Sequence, residues 1–134
     1  MASAIGHSAC RDNRSVLYQR VSKLFANLAT ARGDGRYARI MRTLSGAQLL
    51  ILDDWGLEPL DDAARHDLLE ILEDRYGRKS TVITSQIPVD RWHEVIDHPT
   101  YADAILDRIV HNAHRIELVG DSMRRTRLKS ALRD

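Results

Sequence analysis

Leu49-Leu50-Ile51-Leu52-Asp53-Asp54 is the stretch of sequence that decides the fold. Its four apolar residues form a continuous run, which is the pattern of a strand covered on both faces inside a parallel sheet. Two carboxylates follow at once, and such a strand delivers them to the carboxyl edge of its sheet, where open α/β sheets bind ligands. Taken alone, the run also permits a second interpretation, in which the two aspartates serve only as turn or cap residues.

Around this strand, short apolar runs alternate with segments of helical periodicity, which predicts an α/β fold with a mostly parallel sheet. Strands are predicted at residues 15–18, 48–52, 80–84 and 114–118. Helices are predicted at 2–12, 37–44, 61–76 and 101–111. A further helix is predicted to begin at residue 21 and to be stopped by Gly33 and Gly35. A short helical turn is predicted at 88–95, and the basic tail after Gly120 is also predicted to be helical. For the helix at 61–76 we expect Asp61 as the N-cap, Gly77 as the terminator, and an apolar face of Ala64, Leu68, Leu69, Leu72 and Tyr76.

Length and composition indicate one domain of a protein without a membrane segment. The 134 residues are enough to bury a core. No apolar run approaches the roughly 20 residues that a membrane span needs, and the first ten residues lack the pattern of a signal peptide. Cys10 is the single cysteine, which fits a reducing compartment. We therefore expect a cytoplasmic protein.

Charge is distributed unevenly along the chain, although the net charge is only +1. The segment from Asp53 to Asp74 is strongly acidic, whereas the N-terminal third and the segment after Arg108 are rich in arginine and lysine. Such asymmetry permits contact with phosphate or nucleic acid on one side of the molecule. Solvated helix faces without a partner are the alternative interpretation.

The residues at the ends of two predicted strands suggest chemistry on a nucleotide. Asp53 is placed to hold Mg²⁺, because hard cations take oxygen ligands, and Asp54 can polarise a water for attack on a γ-phosphate. Ser85 and Gln86 follow the strand at 80–84 and could reach that water or the γ-phosphate. Alone, a Ser-Gln pair after a strand is ordinary loop chemistry.

Two arginines complete the set of candidate residues. Arginine stabilises the charge on a transferring phosphoryl group and can act from a neighbouring subunit. Arg108 lies on the polar side of an otherwise buried predicted helix, and Arg124 follows Gly120. The alternative for each arginine is a salt bridge, for Arg108 with Asp103 or Asp107.

These motifs together resemble a known family. The segments LLILDDWGLEPLDDAARHDLLEILEDRYGRKSTVITSQIPVDRWHEVI (49–96) and ADAILDRIVHNAHRIELVGDSMR (102–124) resemble the IstB-like ATP-binding family, as does ARGDGRYARIMRTLSGAQ (31–48) before them. Members are helper ATPases of insertion-sequence transposition and are related to DnaC-type helicase loaders. The resemblance implies a P-loop NTPase fold of the AAA+ type, ATP and Mg²⁺ as cofactors, a transposase and double-stranded DNA as partners, and assembly into a homo-oligomer.

The resemblance also implies roles for single residues. Asp53 and Asp54 match the Walker B acids, although many AAA+ proteins have glutamate at the second position. Ser85 and Gln86 match sensor 1, where the family often has asparagine at the second position. Arg108 matches the arginine finger that reaches a neighbour's nucleotide, and Arg124 matches the sensor 2 arginine.

The phosphate-binding loop of that family is absent from this sequence. No G-x-x-x-x-G-K-[ST] occurs in the 134 residues. In the family this loop and its strand precede a helix similar to residues 2–10, so we expect residues 1–134 to form a partial AAA+ domain that begins after the loop. Such a chain alone should bind ATP weakly or not at all, because the backbone donors and the lysine that hold the phosphates are missing. A loader-type adaptor or a non-catalytic fragment is the alternative function.

Overall fold

The fold is an α/β arrangement of a parallel sheet and flanking helices. The computed structural model describes residues 15–110, together with the backbone of 118–119 and 127–128. In chain order the elements are β1 (Val16–Arg20), α1 (Val21–Asp34), α2 (Tyr37–Gly46), β2 (Leu49–Trp55), α3 (Asp62–Arg75), β3 (Ser80–Ser85), a 3₁₀ turn (Val89–Arg91), α4 (Trp92–Ile96), α5 (Pro99–Val110), β4 (Leu118–Val119) and β5 (Arg127–Leu128).

The first three strands form one parallel sheet in the order β1-β2-β3, so β2 is its central strand. Val16 pairs with Leu49 on one side, and Leu49 pairs with Ser80 on the other. Because all three strands run the same way, their carboxyl ends lie at the same edge of the sheet. β4 and β5 form a separate antiparallel pair.

Three of the helix ends follow local sequence rules. The side chain of Asp61 accepts a hydrogen bond of 2.8 Å from the backbone N–H of Ala64, which makes it the N-cap of α3 as predicted. Gly35 ends α1 with a φ of 83°, and Gly77 follows α3 with a φ of 70°, both in the left-handed region that glycine tolerates best. Gly33 was expected to stop α1 and instead lies inside it.

The core is built on the central strand. Leu50 and Leu52 pack on one face of β2 with apolar residues of α1, α3, α4 and α5, and Leu49 and Ile51 pack on the opposite face with Val16 and Val82. All four β2 residues are buried, as the continuous apolar run predicted. Within the described ranges, no helix is long and apolar enough to cross a membrane.

A buried carboxylate connects α1 and α2 to α3. Asp67 is almost fully buried and accepts hydrogen bonds of 2.5 Å from both Arg32 and the Tyr37 hydroxyl. The Arg32 guanidinium also lies over the Tyr37 ring, 4.6 Å from its centroid. Burial, together with the bond to Asp67, raises the pKa of Tyr37 to about 12.

A second buried charge, Arg75, connects α3 to the segment before β2 and to the start of β3. Its guanidinium donates to the carbonyl oxygens of Leu44 (2.9 Å), Ala47 (2.6 Å) and Ser80 (2.5 Å), and to the Thr81 hydroxyl (2.9 Å). Only 1% of Arg75 is exposed. Because carbonyl oxygens at element ends need donors, one side chain here satisfies acceptors at the end of α2, in the segment before β2 and at the start of β3.

Several predicted boundaries of helices and strands were wrong, and so was part of the predicted apolar face of α3. Tyr76, which was expected on the apolar face of α3, is 45% exposed, and Ile71 and Arg75 are buried instead. β2 extends through Trp55, beyond the predicted end at residue 52, because pairing with β3 resumes there. The tail was expected to be helical, but its residues 127–128 form β5, whose backbone groups pair with β4. The predicted helix at 2–12 lies outside the described residues.

Replacing Arg75 with alanine should destabilise the fold by about 2–4 kcal/mol, because three carbonyl oxygens, those of Leu44, Ala47 and Ser80, lose their donor. Urea unfolding monitored by tryptophan fluorescence measures the change in the free energy of unfolding. Arg78→Ala removes the same charge from an exposed position three residues later and should cost no more than about 0.5 kcal/mol. Equal effects of the two substitutions would contradict a structural role for the Arg75 contacts.

Candidate functional site

The carboxyl end of β2 has an irregular backbone that turns two acidic residues away from regular strand geometry. Leu52 pairs with Ile83 and Trp55 pairs with Ser85, so two residues of β2, Asp53 and Asp54, lie opposite the single residue between them on β3. This is the geometry of a β-bulge, which re-aims side chains near functional sites. Asp54 has a φ of 60°, a left-handed conformation that is strained for a residue other than glycine.

Asp53 is held by hydroxyl groups from both neighbouring strands. Thr84 of β3 donates to one carboxylate oxygen of Asp53, and Tyr18 of β1 donates to the other. These two bonds, first that of Thr84 and then that of Tyr18, lower the pKa of Asp53 below its ordinary value. Asp53 is therefore a fixed, ionised carboxylate at neutral pH.

Asp54 is paired with a cation from β1. The Nε and Nη2 atoms of Arg20 lie 3.0 Å and 2.9 Å from the same carboxylate oxygen of Asp54. The backbone N–H of Asp54 donates to the Thr84 hydroxyl at 3.2 Å, so this one hydroxyl contacts both acidic residues. The side chain of Arg20 is 52% exposed and that of Asp54 is 25% exposed. The pair therefore lies at the surface of the sheet edge.

The loop after β2 is closely packed against the segment that follows β3. Gly56 has a φ of 94°, and a Cβ atom at this position would lie 2.7 Å from the side chain of Ile87. Ser85 donates to the carbonyl oxygen of Trp55 at 2.7 Å and accepts from the N–H of Ile87 at 3.0 Å. Its hydroxyl therefore holds the two loops together, and Gln86 is exposed beside it.

The described contacts of Arg108 are with residues of α3 and α5 and with Tyr76. Arg108 contacts Asp107 at 2.9 Å and Glu73 of α3 at 3.5 Å, and it lies 5.3 Å from the centroid of the Tyr76 ring. The contact with Asp107 is one of the two salt bridges considered from the sequence. Its role as an arginine finger stays a prediction. Arg124 lies outside the described residues.

The carboxyl edge of β2 has the right chemistry for Mg²⁺ bound together with a nucleotide. Asp53 and Asp54 offer carboxylate oxygens, and the hydroxyls that contact Asp53 leave further lone pairs free on each oxygen. In the described part of the chain, no group of three or more histidine, cysteine, aspartate or glutamate side chains could hold a metal ion without other ligands. Mg²⁺ is commonly bound in proteins through one or two carboxylates, with phosphates and waters as the other ligands.

Three residues of this site were missed from the sequence: Tyr18, Arg20 and Thr84. The first two alternate along β1 and therefore lie on the same face, and Arg20 pairs in register with Asp53. The predicted first strand ended at Tyr18, two residues too early. Extending it to the start of α1 would have brought Arg20 to the same sheet edge as the acids.

Comparison with known proteins matches this chain to one protein family and to individual members of similar sequence. A family model described as IstB-like ATP binding protein matches residues 1–131. The putative insertion sequence ATP-binding protein y4pL of Sinorhizobium fredii is 73% identical over 131 residues, which are 98% of this chain and 54% of that protein. A second protein of that organism, y4uH, carries the same description and is 62% identical over 95% of this chain and 51% of its own length. The chain thus spans about half the length of these curated relatives.

Solved structures confirm the fold class. The crystal structure of a DNA replication initiation factor matches with a TM-score of 0.67 and 13% identity, over 78% of this chain and 32% of that one. The crystal structure of the DnaC helicase loader matches with a TM-score of 0.59 and 23% identity, over 73% of this chain and 57% of that one. The predicted α/β fold of the P-loop AAA+ type is therefore confirmed.

Replacing Thr84 with valine should raise the pKa of Asp53 towards its ordinary value of about 3.9, because the larger of its two stabilising hydrogen bonds is lost. Carboxyl carbon chemical shifts measured against pH report this change. The variant should also lose about 1–3 kcal/mol of stability at neutral pH. Because the pKa of Asp53 is lower in the folded state than in the unfolded state, its ionisation stabilises the fold at pH values above the unfolded-state pKa. This stabilisation is lost as the pH falls through the folded-state pKa. The difference from the wild type should therefore shrink below about pH 4.

Thr84→Ser is the matched control, since it keeps the hydroxyl and removes only a methyl group. It should leave the pKa of Asp53 close to that of the wild type. An unchanged Asp53 pKa in Thr84→Val would mean that the hydroxyl does not fix this carboxylate.

Proposed function

The chain belongs to the IstB-like ATP-binding protein family, and we propose on this basis that it is part of an ATP-dependent helper protein of DNA transposition. Residues 1–134 would form a partial AAA+ domain within a protein of the relatives' length. Its place of action is the cytoplasm, which the single cysteine supports. The observation that carries the proposal is the pair of carboxylates at the carboxyl edge of the central strand, of which Asp53 is held by two hydroxyl groups.

The contacts of that pair support different roles for its two members. Asp53 is held between two hydroxyls and is ionised, as a ligand of Mg²⁺ must be, whereas the carboxylate of Asp54 pairs with Arg20, whose side chain is 52% exposed. We assign Mg²⁺ binding to Asp53 and water activation to Asp54. Asp53 would hold the cation, and the chemistry that the cation would supply is neutralisation of the negative charge that develops on the phosphates during hydrolysis. Ser85 and Gln86 lie next to this edge and would sense the γ-phosphate, and Arg124 would contact the nucleotide as sensor 2.

The proposed partners are a transposase, double-stranded DNA and further copies of the chain. The names of the relatives, which are insertion sequence proteins, support the first two. Exposed basic residues on α1 and α2, namely Lys23, Arg39 and Arg42, offer positive charge to phosphates of the DNA backbone. Assembly into an oligomer would allow Arg108 of one subunit to reach the nucleotide of the next.

A helicase-loader adaptor is the second candidate function. The likeness to the DnaC helicase loader supports it at the level of the fold alone, since the two chains are 23% identical. A transposase gene beside the coding sequence would favour the transposition helper, and a replicative helicase gene would favour the loader.

The proposal is tested with a fluorescent ATP analogue and Mg²⁺, using this chain and a version extended to the length of the insertion sequence relatives. The extended chain should bind and hydrolyse ATP, and the 134-residue chain should bind weakly or not at all. In the extended chain, Asp54→Asn should lower kcat by about 10²–10⁴ with little change in binding. Asp53→Asn should lower kcat and should also weaken the Mg²⁺-dependent binding of ATP.

Asp103→Asn is the control for these substitutions, because Asp103 is an exposed acid on α5, away from the sheet edge. It should leave binding and hydrolysis unchanged. Tight binding of ATP by the 134-residue chain would refute the expectation that the phosphate-binding loop lies outside it. Full hydrolysis by Asp54→Asn would refute the assigned role of Asp54.

The proposed action of Arg108 across subunits predicts complementation between two inactive variants. In the extended chain, Arg108→Ala should lower kcat by about 10³, the lower end of the effect of an arginine finger. A mixture of Arg108→Ala and Asp54→Asn should recover activity, because some interfaces then combine an intact arginine with an intact carboxylate.

Glu73→Gln separates this role from a purely structural one. Glu73 is the partner of Arg108 on α3, at 3.5 Å, so its loss disturbs the contact between α3 and α5 without removing the arginine. Activity should be nearly unchanged in this variant. A loss equal to that of Arg108→Ala, or no recovery in the mixture, would show that Arg108 acts within its own subunit.

A further inference from the structure

Tyr76 lies at the place where α3 ends, in a turn that is fixed to a buried residue. Arg75 is the last residue of α3, and three backbone carbonyl oxygens hold its guanidinium. The chain leaves the helix at Tyr76, whose ψ is 125°, and Gly77 turns it with a φ of 70°. The N–H groups of Arg78 and Lys79 then donate to the carbonyl oxygen of Arg75, at 3.1 Å and 3.0 Å. The position of Tyr76 is therefore set by the buried end of α3.

The ring of Tyr76 contacts the arginine that was proposed to act across subunits. The guanidinium carbon of Arg108 lies over this ring, 5.3 Å from its centroid. A guanidinium within about 6 Å of an aromatic centroid is attracted by the negative face of the ring. Tyr76 is 45% exposed and the side chain of Arg108 is 30% exposed, so the pair lies at the surface. A second copy of the chain can therefore reach the arginine there.

The ring and the acidic neighbours of Arg108 use different parts of its guanidinium. Glu73 and Asp107 bind its N–H groups, at 3.5 Å and 2.9 Å. The N–H donors of a guanidinium lie in its plane, whereas an aromatic ring binds its flat face. A phosphate binds the N–H donors as well, so it competes with the two acids but not with the ring. The contact with Tyr76 is therefore compatible with phosphate binding by Arg108.

The two acidic contacts are also the ones that open easily. The side chains of Glu73 and Asp107 are both about half-exposed. Exposed ion pairs contribute little, because water solvates both charges when they separate. Arg108 can therefore exchange these acids for a phosphate at low cost while its guanidinium stays on the ring.

We propose that Tyr76 is the positioning residue of Arg108, and that its ring supports the guanidinium while the N–H donors pass from the acids to phosphates on the neighbouring subunit. This rests on the proposed function, since it takes Arg108 as the residue that acts across subunits. Tyr76 acts only through Arg108 and touches no phosphate itself. Its effect falls on kcat rather than on ATP binding, because such an arginine stabilises charge that develops in the transition state.

The ring contact itself is measured by NMR in the absence of nucleotide. The ring current of residue 76 should shift the side-chain resonances of Arg108 in the wild type and in Tyr76→Phe, which keeps the ring. These resonances should move towards ordinary arginine positions in Tyr76→Leu, which keeps an apolar side chain and removes the ring. Identical Arg108 resonances in the wild type and Tyr76→Leu would overturn the proposal.

The role in hydrolysis is measured as kcat and KM for ATP in the chain extended to the length of the relatives. Tyr76→Leu should lower kcat about two- to fivefold, the range of an exposed cation–π contact, with KM nearly unchanged. Tyr76→Phe should restore the kcat of the wild type. Failure of Tyr76→Phe to restore kcat would contradict a role for the ring, since the hydroxyl would then be the group required.

Glu73→Gln is the matched control for a merely structural effect. It removes the other contact that links α3 to Arg108 and leaves the ring in place, so kcat should stay close to that of the wild type. The urea midpoint of Tyr76→Leu should also match that of the wild type, because Tyr76 is half-exposed. Equal losses of kcat in Glu73→Gln and Tyr76→Leu would mean that any disturbance between α3 and α5 lowers activity, and the proposal would fail.

A double substitution tests whether Tyr76 acts through Arg108. In an Arg108→Ala background, Tyr76→Leu should cause no further loss of kcat, because the group that it positions is already gone. A further loss of two- to fivefold in that background would refute the proposal.

Arg108→Ala also separates this inference from the proposed function. If Arg108→Ala loses kcat and recovers in the mixture with Asp54→Asn, while Tyr76→Leu matches the wild type, Arg108 keeps its role and that of Tyr76 is refuted. If Arg108→Ala itself retains full kcat, the assigned action across subunits is wrong, and the inference fails with it.

Discussion

Burial of the central strand is the constraint on which the described structure depends. Residues 49–52 of β2 are apolar and at most 7% exposed, so both faces of the strand must be covered. Its backbone groups need partners on both edges as well, because an unpaired buried amide costs as much as a lost hydrogen bond. β1 and β3 supply those partners, and the helices complete the larger core around Leu50 and Leu52.

The same constraint positions the site. Since β2 is paired with β3 without interruption as far as Leu52, and with β1 as far as Asp53, the regular pairing ends at the two acids. The ends of β1 and β3 bring a hydroxyl or a guanidinium to each acid. The cluster thus gathers residues from three distant parts of the chain, and the rigidity of the core beneath it holds them in place.

Features governed by neighbouring residues could be predicted from the sequence, and features governed by distant residues could not. The Asp61 cap and the glycines at 35 and 77 act within a few residues of their own positions. The burial of Arg75 follows instead from acceptors near residues 44, 47 and 80, which only the folded chain brings together. Tyr76 fits the helical period of the apolar face and yet lies exposed, because the helix has already ended before it.

The residues of the candidate site could likewise be predicted only in part. Asp53 and Asp54 follow from the apolar run before them, since the end of a parallel strand is also the edge of its sheet. Tyr18, Arg20 and Thr84 carry no motif of their own, and their roles depend on the register of β1 and β3 against β2. The registers of parallel strands separated by helices are set by packing of the whole core, which a local pattern does not contain.

Several departures from local rules occur at this sheet edge. Asp54 adopts a left-handed backbone that costs about 1–3 kcal/mol, and Arg20 begins α1 without the side-chain cap that is typically worth about 1 kcal/mol. Beside them, the buried indole nitrogen of Trp55 has no hydrogen-bond partner within the described part of the chain. Similar departures occur at other places in the described residues, since Asp97 also has a positive φ and neither α2 nor α4 has a side-chain N-cap, whereas Asp61 caps α3. What distinguishes the sheet edge is that its unfavourable choices surround a pair of carboxylates, as expected where residues are retained for function and the surrounding core offsets their cost.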